Sequence, residues 1–179
     1  MYVAAWLPWR LKMSIGKGLG LLAWRFAKRR RRITDTNIAL CFPEKSAEQQ
    51  RQLVKESFIA NGIGLVETAT GWCRNGESLR HRVAYIGEEH MARAQARGKG
   101  VIIIGVHFSS LDLGGALHAL FFSADAVYRP HNNPLFERFM TRARGRNFGV
   151  AIDRYDLRGA VRQLKAGRMV WYSPDQDFG

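Results

Sequence analysis

The chain has 179 residues, 46% of them hydrophobic, and sets 28 Lys and Arg against 15 Asp and Glu, a formal charge of +13 with a pI near 10.5. That length suits one domain with a real core, and the apolar fraction excludes a disordered chain. The cationic excess calls for an anionic partner: phosphate-bearing lipid, a membrane surface, nucleic acid or an acidic protein.

From Trp6 to Phe26, apolar and aromatic residues alternate loosely with Arg10, Lys12, Lys17 and Arg25, and the basic run Lys28 to Arg32 follows. Rings beside a dense basic cluster are what an interfacial segment uses, each cation near anionic lipid contributing about 1 kcal/mol. A core helix followed by a solvated basic run is the alternative. No stretch of eighteen uncharged apolar residues occurs, so no complete membrane span is expected. Val3 to Leu7 is too short for a signal peptide and has no basic flank before it. Gly16-Lys-Gly-Leu-Gly20 lacks the spacing and the ending of a phosphate loop.

Ile33 to Pro43 reads as a short helix stopped by its proline. Ser46 and Gln49 form a capping box ahead of a helix reaching Trp72. Val83 to Ile86 is expected as a short strand, and Glu88 to Arg97 as a helix ending at Gly98. Cys41 and Cys73 belong to no metal-ligand pattern, so a reducing compartment and no zinc site are expected.

Val101 to Ile104 is a buried-strand pattern followed by Gly105, Val106, a polar His107-Phe-Ser-Ser110 turn and a helical period through Leu111, Leu113, Ala116, Leu117 and Leu120. Residues five apart in one helix stand about 140° apart, so His107 has to precede the helix for its side chain to meet Asp112. A histidine at a strand end and a carboxylate in the following helical turn can form a base and its orienting group. The same Asp112 three residues after Ser109 also reads as a cap. Further strands are expected at Ala124–Tyr128, Gly149–Ile152 and Met169–Tyr172, with helices at 135–146 and from Leu157 to Gly167 between them. This alternation implies a parallel or mixed α/β sheet. His107, Arg129, Asp153 and Asp175 then all fall just past strand C-termini, the edge where such sheets gather ligands. Arg129 offers a fixed fork of donors for a phosphate or an oxyanion, or else a loop salt bridge.

His107-x4-Asp112, Val127-Tyr-Arg-Pro-His-Asn-Asn-Pro134, Asp156 to Gly167 and Pro174-Asp-Gln-Asp-Phe-Gly179 together resemble the late acyltransferases of lipid A biosynthesis, the lauroyl, palmitoleoyl and myristoyl group. Arg32 to Pro43 and Phe58 to Trp72 share the likeness, so it covers most of the chain. Many members carry Glu where Asp112 stands. The resemblance implies a glycerol-3-phosphate-acyltransferase-like α/β fold, with a mixed, largely parallel sheet flanked by helices and an N-terminal helical region. Residues 1–32 would be a basic, amphipathic, membrane-proximal segment. Residues 33–179 would be the N-terminal part of an acyltransferase domain truncated at its C-terminus, since members usually carry a membrane-spanning anchor and continue past the last motif.

The resemblance further implies an enzyme at the cytoplasmic face of the inner membrane, needing no cofactor and no metal. It would move a fatty acyl chain from acyl carrier protein to a hydroxyl of the phosphorylated lipid A precursor, Kdo2-lipid IVA. His107 would be the general base and Asp112 would orient it, with Arg129, Asn132 and Asp175 binding substrate. Ser109 and Ser110 lie in no Gly-x-Ser-x-Gly elbow, which favours direct transfer over an acyl-enzyme. A glycerolipid acyltransferase would use the same His-x4-Asp chemistry, but the Glu-Gly-Thr-Arg-like block expected of it is absent from this sequence. A non-catalytic basic module on a membrane or nucleic acid would be indifferent to loss of His107; nucleic acid is not among the expected partners.

Overall fold

A computed structural model describes residues 2–74 and 76–175, so the last four residues of the Pro174–Gly179 motif lie outside the described residues. The chain divides into two compact units, one up to Thr70 and one from Gly71. The expected division at residue 32 falls inside a helix.

The first unit is helical: α1 (Tyr2–Trp6), α2 (Trp9–Phe26), α3 (Lys28–Cys41) and most of α4 (Ala47–Cys73). Pro8 separates α1 from α2. The helix expected from Ile33 starts earlier: the basic run forms the first turns of α3, as suits Lys and Arg, which are good helix formers. Pro43 ends α3 as expected, and the Ser46–Gln49 capping box forms reciprocally: Ser46 N–H donates to Gln49 Oε1 at 2.9 Å and Gln49 N–H to Ser46 Oγ at 3.3 Å. α2 meets α4 through glycines. A Cβ on Gly20 would lie 2.6 Å from Ile59 Cα, and one on Gly62 2.7 Å from Gly20 Cα, so backbone contact is possible only without side chains. Lys12, on the same face, is buried and donates to Ala5 O at 2.6 Å and Thr70 Oγ1 at 3.2 Å. The other face of α2 exposes Leu11, Ile15, Leu19, Leu22 and Phe26 at helical spacing. No helix among the described residues is long and apolar enough to cross a membrane.

The second unit is α/β. After a 3-10 helix at Gly76–Arg82 come α5 (Glu88–Gln95), β1 (Val101–Ile104), α6 (Leu111–His118), β2 (Ala124–Tyr128), α7 (Pro134–Arg144), β3 (Ala151–Asp153), α8 (Leu157–Lys165) and β4 (Met169–Tyr172). The strands order β1-β4-β2-β3, and every pairing is parallel rather than mixed. β1 is an edge strand. α5 and α8 are each followed by a glycine in the left-handed region, Gly98 at φ 65° and Gly167 at φ 78°. Val83–Ile86 forms no strand; Tyr85 instead anchors this segment among Phe121, Phe122 and His118. That cluster, with Ala124, Met169, Val101 and Ile103, is the core on one face of the sheet. On the other face, α8 lies against β3 and β4 while Ile102 and Ile104 of β1 are exposed.

At the strands' N-terminal ends, fully buried Asp125 accepts from Arg168 Nε at 2.6 Å, from its Nη2 at 2.5 Å and from Val150 N–H at 2.7 Å. Burial pushes this carboxyl up, but those hydrogen bonds and the Arg168 charge outweigh it and hold it below the usual range.

His118 is a second buried polar group, with Nδ1 3.2 Å from Tyr85 Oη and its ring 5.4 Å from that of Trp171. Burial lowers its pKa below the ordinary 6.5, so the folded state resists its protonation. The unfolded chain therefore binds more protons as pH drops below about 6.5, and stability is full above that pH and lost below it, at up to about 1.4 kcal/mol per pH unit. His118→Gln should flatten this branch of a urea-denaturation profile between pH 7 and 5. An unchanged profile would remove His118 as its source.

Candidate active site

The parallel register pairs Val101 with Met169 and Ile104 with Tyr172. Carried three residues beyond the paired strands, the same offset sets His107 beside Asp175. The contact is two-pronged: His107 N–H donates to Asp175 Oδ2 at 2.7 Å, and Nδ1 lies 2.7 Å from Oδ1. The backbone bond from His107, then the bond from its ring, hold the Asp175 carboxyl below the usual range. An ionised carboxylate can only accept, so Nδ1 carries a proton here, and in the neutral ring that tautomer puts the lone pair on Nε2.

The structure pairs Asp112 with an arginine rather than with His107. In the first turn of α6 its Oδ1 accepts from Arg144 Nε at 3.0 Å and Nη2 at 2.9 Å, a half-buried pair. The reason is topological: β4 lies next to β1 and brings Asp175 to the ring, while α7 presents Arg144 to Asp112.

A cavity of about 470 Å³ reaches from His107 to Asp112 and Arg144. His107, Asp112, Arg129, Arg144 and Arg154 line it together with Leu111, Ala126, Tyr128, Met140, Phe148, Trp171 and Ser173. Ala126 and Trp171 are register partners one to two residues below the strand ends, so the apolar lining lies deeper in the sheet than His107. Gly115 makes room for Phe148, whose Cζ a Cβ would meet at 2.5 Å, and Gly105 makes room for Trp171, whose Cε2 would be 2.6 Å away. The result is a greasy recess beneath a polar, cationic mouth.

Arg129 is exposed on that mouth with no hydrogen-bond or ion-pair partner among the described residues; it forms no loop salt bridge there. Asn132 is exposed in the same loop and does not line the cavity. Asp153 accepts from Tyr155 N–H at 2.9 Å, closing a turn. Asn133 caps α7, accepting from Leu135 N–H at 3.0 Å and Phe136 N–H at 3.2 Å.

Glu137 escaped the sequence reading. Its carboxylate accepts from His131 N–H at 2.6 Å, Tyr128 Oη at 3.1 Å and Thr141 Oγ1 at 2.9 Å, tying strand end, loop and helix into one body that carries Arg129. The His131 bond is the largest reason its carboxyl lies below the usual range. Its signal was present: it is the lone acid among five arginines between residues 129 and 146. Glu137→Ala should cost about 2 kcal/mol in urea denaturation, with Glu137→Gln intermediate because an amide nitrogen cannot accept from His131. Equal stability of the three proteins would show that the loop does not depend on this carboxylate.

A model of the bacterial lipid A biosynthesis acyltransferase family matches residues 1–179. The chain belongs to that family. This lipid A acyltransferase family member is 38% identical over 179 residues to the lipid A biosynthesis lauroyltransferase of Escherichia coli K12, a match covering 100% of this chain and 58% of the relative. It is 42% identical over 173 residues to the palmitoleoyltransferase of the same strain, covering 97% and 56%, and 28% identical over 174 residues to its myristoyltransferase, covering 96% and 54%. The chain therefore spans little more than half the length of these relatives.

Proposed function

We propose that this protein carries out a late acylation in lipid A biosynthesis, moving a fatty acyl chain from acyl carrier protein to a hydroxyl of the phosphorylated lipid A precursor. The observation that carries this reading is the Asp175–His107 pair set over an apolar cavity with Arg129 at its mouth. An alcohol is a weak nucleophile at neutral pH, and a placed base contributes about 10²- to 10⁴-fold.

In the proposed step, His107 Nε2 takes the hydroxyl proton as the oxygen attacks the thioester carbonyl. Arg129 offers donors to the oxyanion or to a precursor phosphate. The carbon–sulfur bond breaks, the acyl chain leaves on the acceptor oxygen, and the imidazolium returns its proton to the departing thiolate. Asp175 keeps the ring in the tautomer this needs. No serine is acylated.

The same reading puts the protein on the cytoplasmic face of the inner membrane. In its support, the exposed stripe of α2 and the basic turns of α3 supply apolar insertion and attraction to anionic lipid.

The test is a transfer assay with membranes carrying this chain, acyl carrier protein charged with chains of graded length, and tetra-acylated precursor, read by mass spectrometry. A precursor heavier by one acyl group supports the reading. Acylation of glycerol 3-phosphate in its place, or no acylated product from intact, folded protein, would overturn it.

A further inference from the structure

The helix that walls the cavity has an outer face with no assigned role. α7 turns Met140 and Ala143 inward and points Arg144 at Asp112, while Glu137 is spent on the loop. Leu135, Arg138 and Arg142 recur at i, i+3 and i+7 on the opposite side. All three are exposed, Leu135 to 81%, and neither arginine has a hydrogen-bond or ion-pair partner among the described residues. Among the described residues no carboxylate pairs with either arginine of this face. It begins at Asn133, directly after the loop that holds Arg129 at the cavity mouth.

From this we infer that the outer face of α7 is the docking surface for the acidic carrier protein that delivers the acyl chain, an inference that rests on the function proposed above. Charge complementarity decides the occupant. Two arginines one turn apart match acidic side chains one turn apart on a facing helix, and a single apolar contact, Leu135, suits a brief encounter. A lipid surface would call for a long stripe of exposed large apolar residues; α2 shows Leu11, Ile15, Leu19, Leu22 and Phe26, whereas α7 exposes Leu135 on this face and part of Phe136 beside it. A carrier seated here holds its thioester arm one helix diameter, about 10–12 Å, from the cavity. Because the attraction is between exposed charges, it acts chiefly on encounter rate and weakens with salt.

The experiment compares the unaltered chain with Arg138→Glu/Arg142→Glu and with a control of equal charge change on α8, Arg158→Glu/Arg162→Glu. Thermal melts establish that all three fold. Binding of fluorescently labelled holo acyl carrier protein should weaken about 10-fold or more in the α7 variant and stay within about 2-fold in the α8 variant. In transfer assays the KM for acyl carrier protein donor should rise similarly, while kcat/KM with a protein-free acyl-pantetheine donor is unchanged. Unaltered carrier binding by the α7 variant would overturn the inference, as would equal weakening by the α8 variant. So would a loss of binding to phosphatidylethanolamine–phosphatidylglycerol vesicles with carrier binding intact, since the face would then be a lipid contact. If the unaltered chain transfers from neither donor yet binds carrier through α7, the reaction reading fails and the docking surface stands.

Discussion

In the proposed transfer, replacing His107 with alanine should lower the rate by about 10³-fold or more, within the range a positioned base contributes. Its ring is partly exposed, so thermal stability should change little. The more telling comparison is between its two nearby carboxylates. Asp175→Asn leaves one amide oxygen for two donors, the His107 backbone N–H and its ring Nδ1–H, and an NH2 that can select the wrong tautomer, so kcat should fall by about 10²-fold or more. Asp112→Asn leaves the ring's hydrogen bond intact and weakens the hold on Arg144. Nitrogen-15 spectra of His107 distinguish the two: the Nδ1 resonance should move in Asp175→Asn and stay in place in Asp112→Asn. A shift in the second variant alone would return the orienting role to Asp112.

The largest effect on stability is expected at Arg168. Arg168→Met leaves the fully buried Asp125 carboxylate with Val150 N–H as its one remaining donor among the described residues, and breaking such a pair typically costs about 3–5 kcal/mol. The deficit should depend on pH with a definite sign. In the unaltered chain the Asp125 pKa is depressed, so its contribution is present above the unfolded value near 3.8 and is lost as pH falls through the folded value. In the variant, burial without its partner raises that pKa, the carboxyl becomes neutral sooner, and the gap between the two proteins narrows on acidification. Asp125→Asn/Arg168→Met should regain part of the loss at neutral pH. A constant deficit from pH 7 to pH 4 would show that the cost lies in lost guanidinium packing instead.

The sequence disclosed the strands more readily than their order. β2 and β4 match the expected residues, because short β-branched or aromatic runs bounded by glycine, proline and polar residues leave little room for other structure. The placement of His107 past a strand end was legible for the same reason. Its partner was not. Five residues separate His107 from Asp112, and local spacing draws attention to them; 68 separate it from Asp175, and only the adjacency of β1 and β4 shows that they meet. Arg144 was hidden in the same way, as one of several arginines on a basic helix until α7's orientation fixed which one faces inward. Tyr85 misled the strand assignment because a β-branched and aromatic run can equally serve as an anchor for an irregular segment.

β1 gives the catalytic edge room to be extended. Its outer backbone edge is unpaired among the described residues, and Ile102 and Ile104 stand exposed along it, with Lys99 the charge nearest its N-terminal end. Any segment that joined it in parallel, matching the direction of every existing pair, would come to an end next to His107. The side of the sheet open to a new neighbour is thus the side from which a newcomer's terminal residues would reach His107 and Asp175.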